Sequence, residues 1–165
     1  SFRRRNKKYF KMIREKIDNL IKQAMLDKDQ PRTEVLRAIK NEFLVYQTAK
    51  NAKPLDDAAE IAILNKMMKQ RKDSAEQYKQ AGRLDLESNE IYEISFINTF
   101  LPRKATVEDI HNAICNLCAG KGWVNDEDNF IIPKKSMGIA IKEIKDYLRN
   151  VDGKELSDIV KTYLE

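Results

Sequence analysis

Histidine is nearly missing from this chain: His111 is the single imidazole in 165 residues. A Ser–His or Cys–His nucleophile pair therefore has only one base to draw on. A structural zinc site wants four nitrogen or sulfur ligands, and one histidine with two cysteines cannot fill it. The two cysteines, Cys115 and Cys118, and the lack of an apolar secretory leader point to a reducing compartment with both thiols free. Five glycines and 8% aromatics argue against a sheet-rich fold. No run of about 18 apolar residues occurs, so no membrane span is expected.

What is present is charge. Apolar residues make up 42% of the chain and charged residues 35%, a balance that suits narrow amphipathic helices with wet outer faces. The net charge of +5 is unevenly placed. Residues 1–11, "SFRRRNKKYFK", carry six cations and no acid, and the remaining chain holds 25 basic against 26 acidic residues. The body is almost neutral. Met12 follows at once and opens a clean amphipathic pattern, so residues 1–11 read as a basic leader: a tag, a mis-start, a presequence remnant or a functional basic arm. The expected location is the cytoplasm, or the mitochondrial matrix if the leader is a presequence remnant.

The prolines at 31, 54, 102 and 133 punctuate the chain between periodic segments. Ile13, Ile17, Leu20, Ile21, Ala24 and Met25 share one face of a first helix over about 12–28. Val35, Leu36, Ile39, Phe43 and Tyr46 mark a second, with Pro31 in its first turn. Asp57-x-x-Glu60 resembles an acidic capping box that opens a third helix running to Tyr78. Gly82 stops or bends it. A fourth helix turns Leu84, Ile91, Ile94, Ile97 and Phe100 inward and ends before Pro102. Residues 102–105 read as a hinge. Beyond it, Thr106-x-x-Asp109 starts a fifth helix with Val107, Ile110, Ile114 and Leu117 inward, closed at Gly120–Gly122. Ser136 is placed to cap a sixth helix, and Asp152-Gly-Lys-Glu155 reads as a capping box for a seventh. The expectation is all-α: an N-terminal long-helix hairpin module over 12–101 and a small C-terminal three-helix bundle over 106–165.

Three constellations invite chemistry. His111, Cys115 and Cys118 fall within about 60° of one another around a helix, but they flank the apolar arc of Val107, Ile110 and Ile114, where small thiols fill a core edge. Packing is the favoured reading. "NDEDN", residues 125–129, has carboxylates for a hard cation but lacks the glycine and terminal glutamate of an EF-hand loop, so a solvated loop is favoured. Gly120-Lys-Gly122 lacks the spacing of a phosphate loop. No metal, cofactor or catalytic residue is expected. Two helix starts remain: Lys134-Lys135-Ser136-Met137-Gly138 and Asp152-Gly153-Lys154 set cations beside free N–H groups that attract anions. The alternative is that Gly138 permits a tight helix crossing and Asp152 simply caps.

The stretch "KQRKDSAEQYKQAGRLDL" (69–86), together with "IREKIDNLIKQAMLDKDQPRTEVLRAIKNEF", "FINTFLPRKAT", "KSMGIAIKEIK" and "DGKELSDIVKTYL", resembles the YqeY family. That family shares its region with the C-terminal tail of the B subunit of tRNA-dependent Asp/Glu amidotransferase. The resemblance covers about residues 12–165; "GWVNDEDNFIIPKK" and the basic leader depart from it. It implies an all-helical fold and a tail-like module that helps hold tRNA, alone or within an amidotransferase complex. It also brings the label of a glutamine-dependent carbon–nitrogen ligase, for which the residues offer no nucleophile, ATP loop or glutaminase apparatus. A third reading is a protein-interaction adaptor.

On the opening stretch, Arg71, Ser74 and Tyr78 share a helical side, with Lys72 and Lys79 adjacent. Arg83 and Asp85 follow the break at Gly82. One reading is an RNA face of Arg71, Lys72, Tyr78, Lys79 and Arg83, extended by Lys134, Lys135 and Lys154. The other pairs Arg71 and Arg83 with Asp73, Asp85 or Glu87 and locks the bend. Ser74, Gly82, Asp85, Pro102, Gly138, Asp152 and Gly153 are assigned as structural positions.

Overall fold

A computed structural model describes residues 12–164. The basic leader, residues 1–11, lies outside the described residues. Among those described there are seven α-helices, two short 3-10 turns and two isolated bridges, with no strand. The chain is all-α, as its composition indicates. It divides into two compact units, one ending at Leu101 and the other beginning at Pro102.

The first unit holds a 3-10 turn (Ile13–Glu15), α1 (Ile17–Leu26), α2 (Gln30–Thr48), α3 (Asp57–Gln80) and α4 (Leu84–Asn98). Asp29 caps α2 by accepting the Arg32 N–H at 3.1 Å, with Pro31 in the first turn. Ile13, Val35, Leu36, Ile39, Leu64 and Ile97 are almost wholly buried together, each contributing roughly 1.5–3 kcal/mol of apolar burial.

Two expectations for this unit are corrected. The first helix is not continuous over 12–28: the chain turns at Lys16, and α1 starts at Ile17. The cause is Glu60. This carboxylate is fully buried and accepts the Ile13 N–H at 2.7 Å, while Arg14 donates to it at 2.9 Å. Glu60 therefore does not reach back to close a capping box. Asp56 is the N-cap of α3, accepting from the Ala59 N–H at 2.8 Å.

The second correction concerns the α3–α4 hairpin. The buried residues of α3 end at Met67, and Ile97 is the one buried residue of α4. Leu84 and Ile91, expected inward, are 65% and 50% exposed. From Met67 to Gly82 the hairpin extends about 22 Å past the core, at 1.5 Å per residue. Among the described residues of this unit the other arm is the main cover along that length, with the start of α2 lying near Tyr92, and Leu84 and Ile91 stand exposed.

The second unit holds α5 (Val107–Lys121), a 3-10 turn (Lys134–Ser136), α6 (Met137–Leu148) and α7 (Gly153–Lys161). Ile110, Ile114, Ile132, Ile144, Leu156 and Val160 form its core. Thr106 and Asp109 make the reciprocal capping box that their spacing indicates, and Gly122 ends α5 in the left-handed region at φ 66°. Val107, expected inward, is 47% exposed. It is the first residue of α5, on the solvent side of the cap.

Ser136 stands at the N-cap position of α6 without a side-chain cap, because the 3-10 turn runs directly into the helix. Residues 123–133 double back through a bridge between Val124 and Phe130. Ile132 then lies beside Leu164, its N–H donating to the Tyr163 carbonyl at 2.7 Å.

Asn150 fastens the Leu-Pro segment to this unit. Its side-chain amide donates to the Pro102 carbonyl at 2.7 Å, and its carbonyl accepts the Ala105 N–H at 2.8 Å. Arg149, at φ 62°, makes the tight turn that brings Asn150 back, with the Asn150 N–H on the Leu148 carbonyl.

Candidate nucleic-acid interface

The hairpin tip is built by backbone. Gly82 sits at φ 70°, with its N–H on the Lys79 carbonyl and the Arg83 N–H on the Tyr78 carbonyl at 2.9 Å. This is the Schellman closure, which a residue with a Cβ resists. Arg83 then grips Asp85 with two bonds of 3.2 and 3.1 Å. That grip holds the Asp85 carboxyl below its ordinary pKa.

Arg71 is ion-paired with Glu93 across the two arms and also donates to the Met67 carbonyl at 3.4 Å. Its side chain is only 16% exposed. Glu93 is not among the three acids considered as partners from the sequence, because it stands 22 residues downstream. Glu90, beside Glu93, has its pKa raised, first by burial and then by that neighbour's charge.

Ser74 and Tyr78 are half-buried along the same seam, whereas Lys72 and Lys79 are exposed. Lys66 and Lys69 are exposed on the same helix and were missed as site candidates. The signal was available: α3 beyond Asn65 is rich in lysine, while α4 carries Asp85, Glu87, Glu90 and Glu93 and no cation. The hairpin has one basic arm and one acidic arm.

In the second unit, Lys134 and Lys135 are exposed in the 3-10 turn that leads into α6. Gly138 faces open space, so it marks no tight helix crossing. Asp152 caps α7, accepting the N–H groups of Lys154 and Glu155 at 3.0 and 2.9 Å. The Glu155 bond is the chief cause of its lowered pKa, with Lys104 and Lys154 adding to it. A Cβ on Gly153 would lie 3.3 Å from the Lys145 ammonium. Lys104, Lys145 and Lys154 thus surround the start of α7.

His111, Cys115 and Cys118 belong to packing. The His111 Nδ1 is 2.7 Å from the Tyr163 hydroxyl, and Cys118 is fully buried, its thiol aimed at the Ile131 carbonyl. Burial, then the nearby Cys115 thiol, push the Cys118 pKa up, which disfavours the reactive thiolate. No group of three or more acidic, histidine or cysteine side chains among the described residues is arranged to hold a metal. In the 125–129 loop, the Asn125 side chain accepts the Glu127 and Asn129 N–H groups at 3.0 and 2.9 Å. A groove of about 310 Å³ lies between α5 and α6, walled by Ala113, Leu117, Ile144 and Tyr147. Its polar rim is a Lys121–Glu143 pair at 2.9 Å. Such a wall offers an apolar surface and no converging set of reactive groups.

Comparison with known families supplies the relationship. The family described as Yqey-like protein matches residues 14–164. The chain belongs to the YqeY family. No curated protein matches it. The YqeY match takes in both units and the 123–135 excursion, and the basic leader falls wholly outside it. No helix of this YqeY-family chain is, among the described residues, long and apolar enough to cross a membrane.

Proposed function

We propose that this YqeY-family protein is a non-catalytic helical module that associates with RNA, tRNA in the first instance, as an accessory to amide-transfer machinery. The observation that carries this reading is the set of exposed lysines at two helix starts: Lys134 and Lys135 before α6, and Lys154 with Lys104 and Lys145 at α7, around the capping carboxylate of Asp152. Ammonium groups gathered at the positive end of a helix suit phosphate oxygens. The resemblance to the amidotransferase tail supplies tRNA as the first RNA to try. Glutamine-dependent amide transfer by the chain itself gains no support from the His111–Tyr163–Cys118 region, where packing accounts for each side chain.

Filter binding with tRNA over a salt series tests the proposal. The protein is used with the six leader cations replaced by glutamine, since those alone would hold any polyanion. Measurable affinity at low salt, weakened by Lys134→Ala/Lys135→Ala, is expected. No affinity at low salt, or affinity indifferent to that substitution, sinks the reading.

The exposed Leu84 and Ile91 favour a second reading, an adaptor that docks a protein partner on α4. Isolation of a defined stoichiometric complex after nuclease treatment, abolished by Leu84→Ser/Ile91→Ser, would establish it.

A further inference from the structure

Cys115 and Cys118 lie one turn apart on α5, the first thiol half-buried and the second sealed in the core. At the radius and rise of an α-helix, Cα atoms three residues apart are separated by about 5 Å. A disulfide spans Cα separations of about 4.4–6.8 Å, so the pair is within bonding reach. The Cβ atoms of a regular helical turn stand farther apart than the roughly 3.8 Å that a disulfide holds. Closing the bond therefore draws Cys118 toward Cys115 and deforms the last turn of α5. That turn is at the end of the helix, next to the left-handed Gly122.

The two thiols have different surroundings. The Tyr163 hydroxyl hydrogen-bonds with Cys115 and also lies 2.7 Å from His111 Nδ1. In the tautomer that carries its proton on Nδ1, His111 donates to the Tyr163 oxygen and leaves the Tyr163 O–H for Cys115. A hydroxyl so placed stabilises negative charge on the Cys115 sulfur. Cys118 has no such donor, and its thiol is directed at the Ile131 carbonyl at 3.8 Å. An oxidant arriving from solvent meets Cys115 first, and Cys118 is held one turn away to follow.

We infer that Cys115 and Cys118 form a reversible oxidation site for hydroperoxides, with Cys115 oxidised first and Cys118 closing the disulfide. The Cys115 sulfur attacks one peroxide oxygen and the O–O bond breaks. Cys115 becomes a sulfenic acid, and the remaining oxygen leaves as an alcohol or water with the thiol's proton. The Cys118 sulfur then attacks the Cys115 sulfur. The S–S bond forms as the S–O bond breaks, and the hydroxyl departs as water with the Cys118 proton. Two thiols have then lost two hydrogens and two electrons to one peroxide. The Cys118 thiol leaves the Ile131 carbonyl, and the Trp123 N–H, bonded to the Cys118 carbonyl at 2.9 Å, shifts with it. Oxidation thus loosens the 123–133 excursion from the end of α5.

The full chain is treated with hydrogen peroxide under native conditions, alkylated, and read by intact mass and peptide mapping. Wild type is expected to lose two hydrogens, to take up no alkyl group, and to regain both thiols with dithiothreitol. Cys118→Ala stops at a Cys115 sulfenic acid, trapped by dimedone, whereas Cys115→Ser keeps its Cys118 thiol. Fluorescence of Trp123, the single tryptophan, changes on oxidation in wild type and in neither variant. Should Cys118→Ala not fold, wild type against Cys115→Ser decides alone.

Both thiols still fully alkylated after peroxide overturns the inference. So does a wild-type Cys115 that runs on to sulfinic acid without a disulfide, or a disulfide that forms only between two chains. An unchanged Trp123 signal in the disulfide form overturns the loosening of the excursion.

Discussion

The carboxylate of Glu60 meets the backbone N–H of Ile13 at 2.7 Å, joining the first turn of the chain to α3 across 47 residues. Glu60 is fully buried, and Arg14 supplies its counter-charge at 2.9 Å while reaching Asp57 at 2.8 Å. A carboxylate in such a place is tolerable only with every lone pair answered. Its removal leaves Arg14 half-answered and the Ile13 N–H buried without a partner. Glu60→Ala is expected to lower unfolding free energy by about 3–5 kcal/mol. Arg14→Ala, which leaves two backbone donors on the carboxylate, costs about 1.5–3 kcal/mol. Urea denaturation decides; a Glu60→Ala loss below about 1 kcal/mol would show that water or another acceptor substitutes.

Two glycines are expected to respond in opposite directions. Gly82, at φ 70°, has open space around it, so alanine there meets no clash but must hold a left-handed backbone. Gly82→Ala costs about 1–2 kcal/mol. Gly138 lies within α6 in open space and without positive φ. Gly138→Ala stabilises by about 0.5–1 kcal/mol through helix propensity and a stiffer unfolded chain. Thermal melts of both variants check the pair, and equal signs would contradict the backbone assignment.

Asn150 anchors two points of the Leu-Pro segment with one residue. Asn150→Ala keeps the carbonyl bond from Ala105 but leaves the Pro102 carbonyl without its donor, at a cost of about 1–3 kcal/mol. Hydrogen exchange is the sharper measurement. With the Pro102 anchor gone, the segment opens more often. The Ala105 amide, though its bond to the residue 150 carbonyl is retained in the closed state, is expected to exchange faster while core amides of α5 keep their protection.

Asp109 contributes to the acid sensitivity of the second unit, together with Asp152. Arg103 first, then the Thr106 backbone and hydroxyl, hold its carboxyl down to about 2, from an ordinary value of 3.8. A depressed folded pKa contributes stability that is present above 3.8 and is lost as pH falls toward 2. Wild type and Asp109→Asn are therefore expected to differ in melting temperature at pH 6 and to converge near pH 2. A carboxyl carbon titrating at its ordinary value by NMR would refute the assignment.

What could be read in the sequence was what is decided locally. Thr106 and Asp109, Asp152 with its following N–H groups, and the stops at Gly82 and Gly122 each depend on neighbours within a few residues. The fold class followed from the 3.6-residue periodicity and the poverty in glycine and aromatics. Glu60 was misread because its partner at Ile13 is remote, and nothing in Asp57-x-x-Glu60 announces a helix it does not cap. Periodicity gave α4 an apolar face through Leu84 and Ile91. It carried no information on whether another element covers that face, and both side chains stand exposed. For the candidate site, the lysines at 134, 135 and 154 were legible as helix-start cations. That Arg71 turns inward depended on Glu93, which only the folded hairpin brings alongside.

The outer hairpin has one more implication. Beyond Met67 its order comes from helix propensity and arm-to-arm pairing such as Arg71 with Glu93, whereas the four-helix base is sealed by buried aliphatics. Lengthening both arms by two turns would therefore leave the base undisturbed and carry the Gly82 loop outward by about 10 Å. How far this protein reaches and how firmly it folds are separate variables, and evolution can adjust the one without touching the other.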